Sequence, residues 1–250
     1  MNVARSTMRR FQTHKPPLVG IKALAADHPA ALAGRTLYEA RRQWAGFEGR
    51  VLKDGHNSRK IGRFVTKGRW RGMPIFTLTL EERATCPRSC DHWLDCYGNK
   101  MNWSNRLLPG DALERRLDAE LSQLQRVFPG GFVLRLHVLG DFYSEAYVER
   151  WGAWLDQHPA LRVFGYTARP PSSEIGAAVD RLNTAHPDRW VVRFSNAAVG
   201  ELGAKTIYRE PEAPRVAEGI VCPAQTSRTD CCGTCGLCWG TKANIAFVAH

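Results

Sequence analysis

Apolar residues recur at helical spacing in three stretches of the chain. The pattern predicts helices that open at Asp111, at Ser144 and at Ser173, because each of these residues has a side chain able to cap free backbone N–H groups. The apolar stripe of the first helix is Leu113, Leu117, Leu121 and Leu124, and that of the second is Tyr147, Trp151, Trp154 and Leu155. Stripes of this kind pack a helix onto a core. A weaker pattern over residues 29–45 predicts one more helix.

Between these helices the spacing changes to the alternation that is typical of strands. Residues 132–139, 161–167 and 190–195 are predicted as strands, and residues 245–248 as a short terminal strand. The apolar alternation over residues 75–80 predicts another strand just before the first cysteines.

Strands and helices alternate along the chain, which predicts parallel strands joined by right-handed crossovers. We therefore expect an α/β fold: a partial or irregular (β/α) barrel with parallel strands, a basic N-terminal extension and a C-terminal cysteine-rich segment. The extension would span residues 1–54 and contain a helix. The barrel-like domain would span residues 55–220 and end in an irregular linker over residues 197–221. The cysteine-rich, metal-binding segment, residues 221–250, would pack on the barrel.

Composition favours one large globular domain. A chain of 250 residues with 44% hydrophobic and 10% aromatic residues is large and apolar enough to bury a full core. Its basic start lacks an apolar signal core, and no stretch approaches the roughly 20 apolar residues that a membrane span needs. We expect a cytoplasmic protein with no membrane partner. Motifs typical of hydrolases and nucleotidases do not stand out in the sequence.

Positive charge is concentrated in the first third of the chain. Residues 1–75 hold sixteen Lys and Arg against four Asp and Glu, whereas the rest of the chain holds nineteen against twenty. Attraction to phosphate supplies most sequence-independent affinity for nucleic acids, so this third suggests a DNA or RNA partner. Phe64 and Trp70 lie among the basic residues and would add base stacking. A solvated basic surface without a partner explains the same charges.

Seven of the eight cysteines form two groups with the chemistry of metal ligands. The first cysteine group is Cys86, Cys90 and Cys96, and the second cysteine group is Cys222, Cys232, Cys235 and Cys238, with Cys231 as a spare thiol. Cytosolic reductants keep thiols from pairing, so such groups are better explained as ligands of a soft metal. Three thiolates leave a coordination position open, whereas a structural zinc site is normally filled. His92 lies among the first group and would close that position if it were a ligand.

The second cysteine group fits two kinds of metal site. Cys232, Cys235 and Cys238 have the spacing of the first three ligands in a ferredoxin-type run, and Cys222 offers a fourth thiolate for an auxiliary cluster. Zinc is the alternative, because four thiolates, or three with His250, make a closed tetrahedral site. Both metals stay open for this group, and so does one assembly shared by the two groups.

Polar residues follow the predicted strands at the edge where the chemistry of parallel sheets gathers. These residues are Gly140, Asp141, Thr167, Arg169, Ser195 and Asn196. The carboxyl ends of parallel strands share one edge, so we expect all of them on the same side as the first cysteine group.

The order of these features resembles the radical S-adenosylmethionine superfamily. Its members carry three cysteines after the first barrel strand, a Gly-Gly-Glu-like segment after the second, and polar cofactor-binding residues after later strands. The resemblance implies that the first cysteine group holds three irons of a [4Fe-4S] cluster at the barrel mouth, and that Asp141 stands near the methionine amino group. The other cofactor-binding residues it implies are Gly140, Thr167, Arg169, Ser195 and Asn196. The cysteine spacing here is Cys-x3-Cys-x5-Cys instead of the usual Cys-x3-Cys-x2-Cys, and Asp141 replaces the usual Glu.

The motifs of the chain are more similar to those of the phage gene product 88 family. The similarity lies in the CysPro-x2-Cys and CysTyr loop, in the Gly-Asp-Phe stretch from residue 140, and in the terminal cysteines, so it covers roughly residues 55–250. It implies a phage or prophage origin, and hence a bacterial host cell, and brings no established activity.

Two functions follow as alternatives. One is an iron–sulfur enzyme that resembles radical S-adenosylmethionine enzymes, with one or two [4Fe-4S] clusters and S-adenosylmethionine as cofactor. The other is a phage nucleic-acid-binding protein whose zinc or iron–sulfur sites are purely structural. Whether the chain is an enzyme depends on which of the two holds.

Overall fold

Helices form where capping residues and apolar stripes coincide. The computed structural model describes residues 23–43, 49–195, 202–209 and 211–249. Its helices are α1 (Pro29–Ala33), α2 (Asp111–Val127), α3 (Glu145–Gln157), α4 (Glu174–Ala185), α5 (Cys232–Cys235) and α6 (Leu237–Gly240), with 3-10 turns at Glu39–Arg41, Gly55–Asn57 and Tyr97–Lys100. Ser144 and Ser173 cap α3 and α4, each side chain accepting a backbone N–H at 3.1 Å. No helix in the described part of the chain has both the length and the apolar character needed to cross a bilayer.

The strands are short and most of them join one sheet. They are β1 (Arg42–Gln43), β2 (Lys53–Asp54), β3 (Ile75–Thr77), β4 (Arg106–Leu107), β5 (Phe132–Arg135), β6 (Leu161–Thr167), β7 (Trp190–Ser195), β8 (Gly203–Ile207), β9 (Arg215–Val216), β10 (Gly219–Val221) and β11 (Ile245–Val248). Nine strands form one sheet in the order β2-β3-β5-β6-β7-β8-β11-β10-β9, and β1 pairs with β4 apart from it. Every pair from β3 to β10 is parallel, and β2 and β9 add antiparallel edges.

The predicted α/β class with parallel strands is confirmed, but the predicted barrel is not. Among the described strands the sheet is open, because β2 and β9 each pair with a single neighbour. From β3 to β8 the strands of this sheet follow one another in chain order, so each crossover continues in the same direction. Right-handed crossovers that run in one direction place their helices on one face of the sheet.

That face, called the helix face below, carries the larger core. Residues from α2, α3 and α4 pack there against Leu134, Val163 and Val192 of the sheet. Its largest fully buried side chains are Trp151, Trp154, Trp190, Tyr147, Phe132 and Phe142. The indole Nε1 of Trp154 donates to Asp118 at 2.9 Å, so burial of this ring leaves its polar atom satisfied. The apolar stripes predicted from the sequence therefore pack as expected.

The opposite face, called the thiol face below, carries alternate residues of the same strands. These residues include Val133, Arg135, Phe164, Tyr166, Val191 and Arg193. Phe164 lies between Arg135 and Val191 in the register of the strands, and Tyr166 lies beside Arg193. Residues 60–74 and the segment 222–240, whose only helices are the four-residue α5 and α6, cover this face. The C-terminal cysteines thus lie against the sheet itself.

Two buried contacts fix the C-terminal segment to the thiol face. Trp239 stacks on Trp70, with ring centroids 5.3 Å apart, and also contacts Phe164. Arg193 is fully buried and donates to the backbone carbonyls of Cys238 (2.9 Å) and Ala243 (2.9 Å), and also of Thr241. These bonds satisfy carbonyl groups of a segment with little regular structure of its own.

Several local predictions are wrong for identifiable reasons. The helix predicted over residues 29–45 ends at Ala33, where Gly34 takes the left-handed conformation (φ +64°) that ends helices. The strand predicted over residues 132–139 ends at Arg135, because the chain turns at His137 (φ +26°). Asp111 is the first residue of α2 and Gly110 is its N-cap.

The predicted linker is also wrong. The described residues between 197 and 221 contain β8, β9 and β10, which extend the main sheet. Each has five residues or fewer; β8 and β10 pair with β11 from further along the chain, and β9 pairs with the adjacent β10.

Candidate functional site

The first cysteine group lies between β3 and β4, beyond the carboxyl end of β3. Each of its thiols accepts a hydrogen bond from the backbone: Cys86 from Arg83, Cys90 from His92 and Cys96 from Gly98. Backbone N–H donors around sulfur favour the thiolate form that binds metals. The loop is therefore shaped around its three sulfurs.

Burial opposes this effect and keeps the metal-free thiols protonated. It raises the pKa of Cys86 well above the usual value, and the negative charge of Asp141 and of the neighbouring thiols raises it further. The pKa of Cys90 is raised by burial as well, and that of Cys96 is raised to about 11. The three sulfurs therefore lie close enough to affect one another's charge, and a metal ion would have to displace their protons.

Both ring nitrogens of His92 make hydrogen bonds with other side chains. Its Nδ1 lies 3.0 Å from Asp95, and its Nε2 lies 2.8 Å from the Thr206 hydroxyl on β8. Both ring nitrogens thus have hydrogen-bond partners, and the ring ties the loop to the sheet. A histidine ligand needs one of these nitrogens for the metal.

Four of the predicted cofactor-binding residues meet beside the first cysteine group. Asp141 is 2% exposed, and its carboxylate accepts the backbone N–H groups of Phe142 and Ala168, each at 2.7 Å. Thr167 also donates to this carboxylate, and its hydroxyl accepts the backbone N–H of Arg169 at 3.0 Å. The carboxyl ends of β5 and β6 are joined through these contacts.

The same network reaches the cysteine loop through Thr85. The Thr85 hydroxyl accepts the backbone N–H of Asp141 at 3.0 Å, and Arg169 donates to the Thr85 carbonyl at 2.7 Å. Gly140 has φ +83°, and a Cβ there would lie 2.6 Å from both Leu80 and Thr85. Glycine is therefore required where the end of β5 approaches the loop.

Asp141 is a carboxyl group with a shifted titration. Burial raises its pKa to about 6, although the hydrogen bonds from Thr167, Ala168 and Phe142 oppose the shift. A carboxyl group in a mostly buried site beside thiols is a candidate functional group. Ser195 is exposed at the end of β7 and does not belong to this network, and Asn196 lies outside the described residues.

Ion pairs of two buried carboxylates support the loop and were missed in the sequence. Glu82 accepts from Arg106 at 2.8 Å and from the Thr36 hydroxyl at 2.7 Å. Glu81 pairs with Arg42 at 3.0 Å. Consecutive charged residues after a strand are typical of exposed loops. The sequence around Glu81 and Glu82 therefore gives little sign that both carboxylates are buried.

The second cysteine group lies on the thiol face. Burial raises the pKa of Cys232, Cys235 and Cys238, and the charge of Cys222 raises each of them further. The Tyr166 hydroxyl donates to the Cys238 sulfur at 2.8 Å, and the backbone of Leu237 donates to Cys235. These four thiols thus lie near enough to act on one another's charge.

Cys231 has a different environment. It is buried, it is the N-cap of α5, and a Cβ on Gly62 would lie 2.4 Å from its sulfur. Its sulfur therefore packs against Gly62, and its charge also raises the pKa of Cys235. That Cys231 is a spare thiol outside the second cysteine group stays a prediction. His250 lies outside the described residues.

Within the described residues, no three side chains of His, Cys, Asp or Glu are close enough to hold one metal ion. The thiols of each group are neighbours rather than a formed coordination sphere, and the ligand assignment stays a prediction. The donor chemistry fits a thiolate-binding metal, because the cysteines are unpaired and several of their sulfurs accept hydrogen bonds.

Basic residues gather at the opposite edge of the sheet, where β6 and β7 begin. Arg69, Arg162 and Arg189 are close enough that the pKa of Arg162, lowered mainly by burial, is lowered further by the other two charges. Each guanidinium donates to a backbone carbonyl. Phe64 is 38% exposed, but Trp70 is buried and is not available for the predicted stacking.

Comparison with known proteins gives a family and one relative. The sequence profile of the Gene product 88 family matches residues 50–209. A similar protein is the "Gene 88 protein" of Mycobacterium phage L5, 26% identical over 130 residues, which are 46% of this chain and 54% of that protein. The chain thus spans about half the length of the curated relative that it matches. No solved structure matches the chain.

Proposed function

We propose that this protein, which belongs to the Gene product 88 family, is an iron–sulfur metalloprotein with an open-site cluster and a second metal site. The observation that carries the proposal is the first cysteine group: three half-buried cysteines whose thiols each accept a backbone N–H, beside a histidine whose two nitrogens have other partners. Three protein ligands for a [4Fe-4S] cluster leave one iron open to a small molecule.

The residues of this chain suit S-adenosylmethionine as that molecule. Cys86, Cys90 and Cys96 would hold the cluster, which on accepting an electron supplies the reductive cleavage chemistry of the superfamily. Asp141 has a carboxylate close to these thiols that would accept from an amino group. Arg169 and Thr167 fix the backbone on which Asp141 depends. The protein's part is to bind and orient the cofactor.

The second cysteine group would hold an auxiliary [4Fe-4S] cluster or a zinc ion. Four thiolates close the coordination sphere of either metal, so the role we assign is structural or auxiliary rather than catalytic. Reduced thiols persist in the bacterial cytoplasm, where we expect the protein to act in a phage-infected cell.

Anaerobic reconstitution with iron and sulfide tests the metal assignment. Wild-type protein should turn brown, Cys90→Ala should lose one chromophore and Cys235→Ala the other, because separate ligand sets empty separately. Cys231→Ser is the matched control, since serine keeps the N-cap and removes a thiol outside both sets; it should retain both chromophores. Zinc as the sole bound metal in anaerobically purified protein would contradict the cluster proposal.

The reaction needs its own test. Reduced, reconstituted protein given S-adenosylmethionine should release 5'-deoxyadenosine, and Cys90→Ala should release none. A brown wild-type protein that leaves S-adenosylmethionine intact would reject the enzymatic part of the proposal and leave the metalloprotein part standing.

A nucleic-acid-binding protein with structural metal sites is the second candidate. The gathering of Arg69, Arg162 and Arg189 at the edge away from the first cysteine group supports it, as do the exposed Lys67 and Arg71. Such a surface would bind phosphates, and its affinity would fall steeply with salt.

Charge reversal separates this candidate from a solvated basic surface that has no partner. Lys67→Glu with Arg71→Glu should weaken binding to single- or double-stranded DNA and flatten its salt dependence, whereas Arg115→Glu on the exposed surface of α2 should change it little. Equal effects of the two changes, or affinity that does not depend on salt, would exclude a specific basic interface.

A further inference from the structure

Arg83 carries a charge that the fold buries beside the first cysteine group. The residue is 4% exposed and has φ +63°, a conformation that side chains rarely adopt. Burying a guanidinium group without a charged partner is costly, so such a residue calls for an explanation.

Two of its three nitrogens hold the cysteine loop in shape. Nε donates to the Trp93 carbonyl at 3.0 Å, and Nη2 donates to the Asn99 side chain at 2.6 Å. These acceptors flank Cys96 in the sequence. The backbone of Arg83 also donates to the Cys86 thiol, so one residue supports two of the three candidate ligands.

The third nitrogen has no such role. Nη1 of Arg83 is buried and, among the described residues, has no hydrogen-bond partner. The neighbouring carboxylates are taken: Glu82 by Arg106 and Thr36, and Glu81 by Arg42. The sulfur of Cys96 and the carboxyl carbon of Glu82 both lie within 3.4 Å of the point where Gly98 would carry a Cβ. Cys96 is therefore beside the chain segment that bears Arg83, and the Arg83 charge acts on its thiol.

We propose that Arg83 is a positioning residue of the first site, whose Nη1 donates a hydrogen bond to a sulfur of the bound cluster next to Cys96. This inference rests on the proposed function. Three thiolates and the sulfides of a cluster bring negative charge into a buried site, and a fixed guanidinium offsets it. Hydrogen bonds to sulfur and nearby positive charge favour the reduced cluster, which raises its reduction potential.

Redox titration of the reconstituted full chain tests the inference. The signal to follow is the part of the spectrum that Cys90→Ala removes, so that the second site does not interfere. In Arg83→Gln the ratio of reduced to oxidised cluster at a fixed potential should fall about tenfold, which equals about 59 mV for a one-electron couple. Arg88→Gln, in the same loop but with an exposed side chain, is the matched control and should leave the ratio unchanged.

The outcomes separate the two proposals. If wild-type protein forms no chromophore that depends on Cys90, the proposed function fails. If the chromophore forms and Arg83→Gln keeps the wild-type ratio, the inference about Arg83 fails alone. Should Arg83→Gln not fold, Arg83→Lys is the second variant, since one ammonium group cannot donate in the three directions of the planar guanidinium group. A fall of the ratio by threefold or more supports the inference. An unchanged ratio overturns it.

Discussion

Hydrogen bonds and burial act in opposite directions on the thiols. Cys86, Cys90, Cys96 and Cys235 each accept a backbone N–H, and Cys238 accepts the Tyr166 hydroxyl. Donors of this kind favour the thiolate, yet burial is the larger effect at every one of them and raises the pKa. The metal-free protein therefore holds neutral thiols whose hydrogen-bond donors suit thiolates.

Metal loading should therefore release protons. Since the pKa values of these thiols lie above their usual range, they are protonated at pH 7, and each thiol that becomes a ligand gives up its proton. We expect about two to four protons per bound zinc ion and an apparent affinity that rises with pH. Isothermal titration calorimetry in two buffers of different ionisation enthalpy measures the number. A binding heat that is the same in both buffers would show that the thiols are not the ligands.

Tyr166→Phe should weaken the second site alone. The change removes the donor to the Cys238 sulfur at 2.8 Å and keeps the ring that contacts Phe247. One hydrogen bond is worth about 0.5–1.5 kcal/mol, so zinc affinity at this site should fall roughly 2- to 13-fold. Competition with a chelator measures it, and Tyr208→Phe, whose ring is 73% exposed, is the control. A loss of zinc affinity at the first cysteine group instead would contradict the assignment of Tyr166 to the second.

At the scale of elements, the described residues 23–43 form a clasp on the first cysteine loop. Tyr38 donates to the Asn99 carbonyl at 2.6 Å, Trp93 donates to the Ala31 carbonyl, and the backbone of Leu24 donates to Leu94. Several contacts of the loop thus come from a segment that precedes the region matched by the family profile. The segment predicted as a basic extension has a structural role as well.

Thr36→Val tests the clasp. It removes the hydroxyl that donates to the buried Glu82 carboxylate at 2.7 Å and leaves the shape of the side chain almost unchanged. Hydrogen bonds to buried charges are worth about 1.5–3 kcal/mol, and we expect that loss in the unfolding free energy measured with urea. Thr184→Val, on the exposed surface of α4, should cost little. Equal effects of the two substitutions would mean that the clasp contributes nothing.

Elements with local signals could be predicted and those with distant partners could not. The limits of β6 and β7 match the predicted 161–167 and 190–195, and the capping serines of α3 and α4 were found from sequence. In contrast, β8 and β10 are held by β7 and β11 across the sheet, and nothing within their own few residues distinguishes them from a loop.

The candidate site was predictable to a similar degree. Asp141, Thr167 and Arg169 lie at or just after the ends of strands that share one edge of the sheet. The alternation of strands and helices along the sequence is enough to place them together. Arg83 and Glu82 were missed because their burial depends on Arg106, Thr36 and Asn99, which come from three other parts of the chain. Pairing of buried charges is a property of the fold and leaves no local pattern.

At the scale of the whole molecule, the two cysteine groups differ in what they support. The first group lies at an edge of the sheet. The second belongs to the segment that covers the thiol face, where Cys238 and Trp239 are part of the apolar cluster. A metal ion in the second site would tie Cys222 to α5 and α6 and so hold that cover in place.

Cys235→Ala should therefore destabilise the metal-loaded protein more than Cys90→Ala. For a chain of this size a loss of 1 kcal/mol lowers the thermal midpoint by about 2–4 °C, and we expect Cys235→Ala to lie at least about 5 °C below Cys90→Ala because part of the core on the thiol face loosens. Differential scanning fluorimetry on loaded proteins measures the difference. The reverse order would assign the structural role to the first group.

The stacking of Trp239 on Trp70 also bears on how the protein is made. Ribosomal synthesis proceeds from the N-terminus, so strands β3 to β7 leave the exit tunnel well before residue 239 does. Until then the apolar side chains of Val133, Phe164 and Val191 have only the part of their cover that residues 60–74 supply. A nascent chain stalled before residue 222 should consequently be held by chaperones or precipitate, because residues 222–240 must be synthesised before the sheet is protected on both sides.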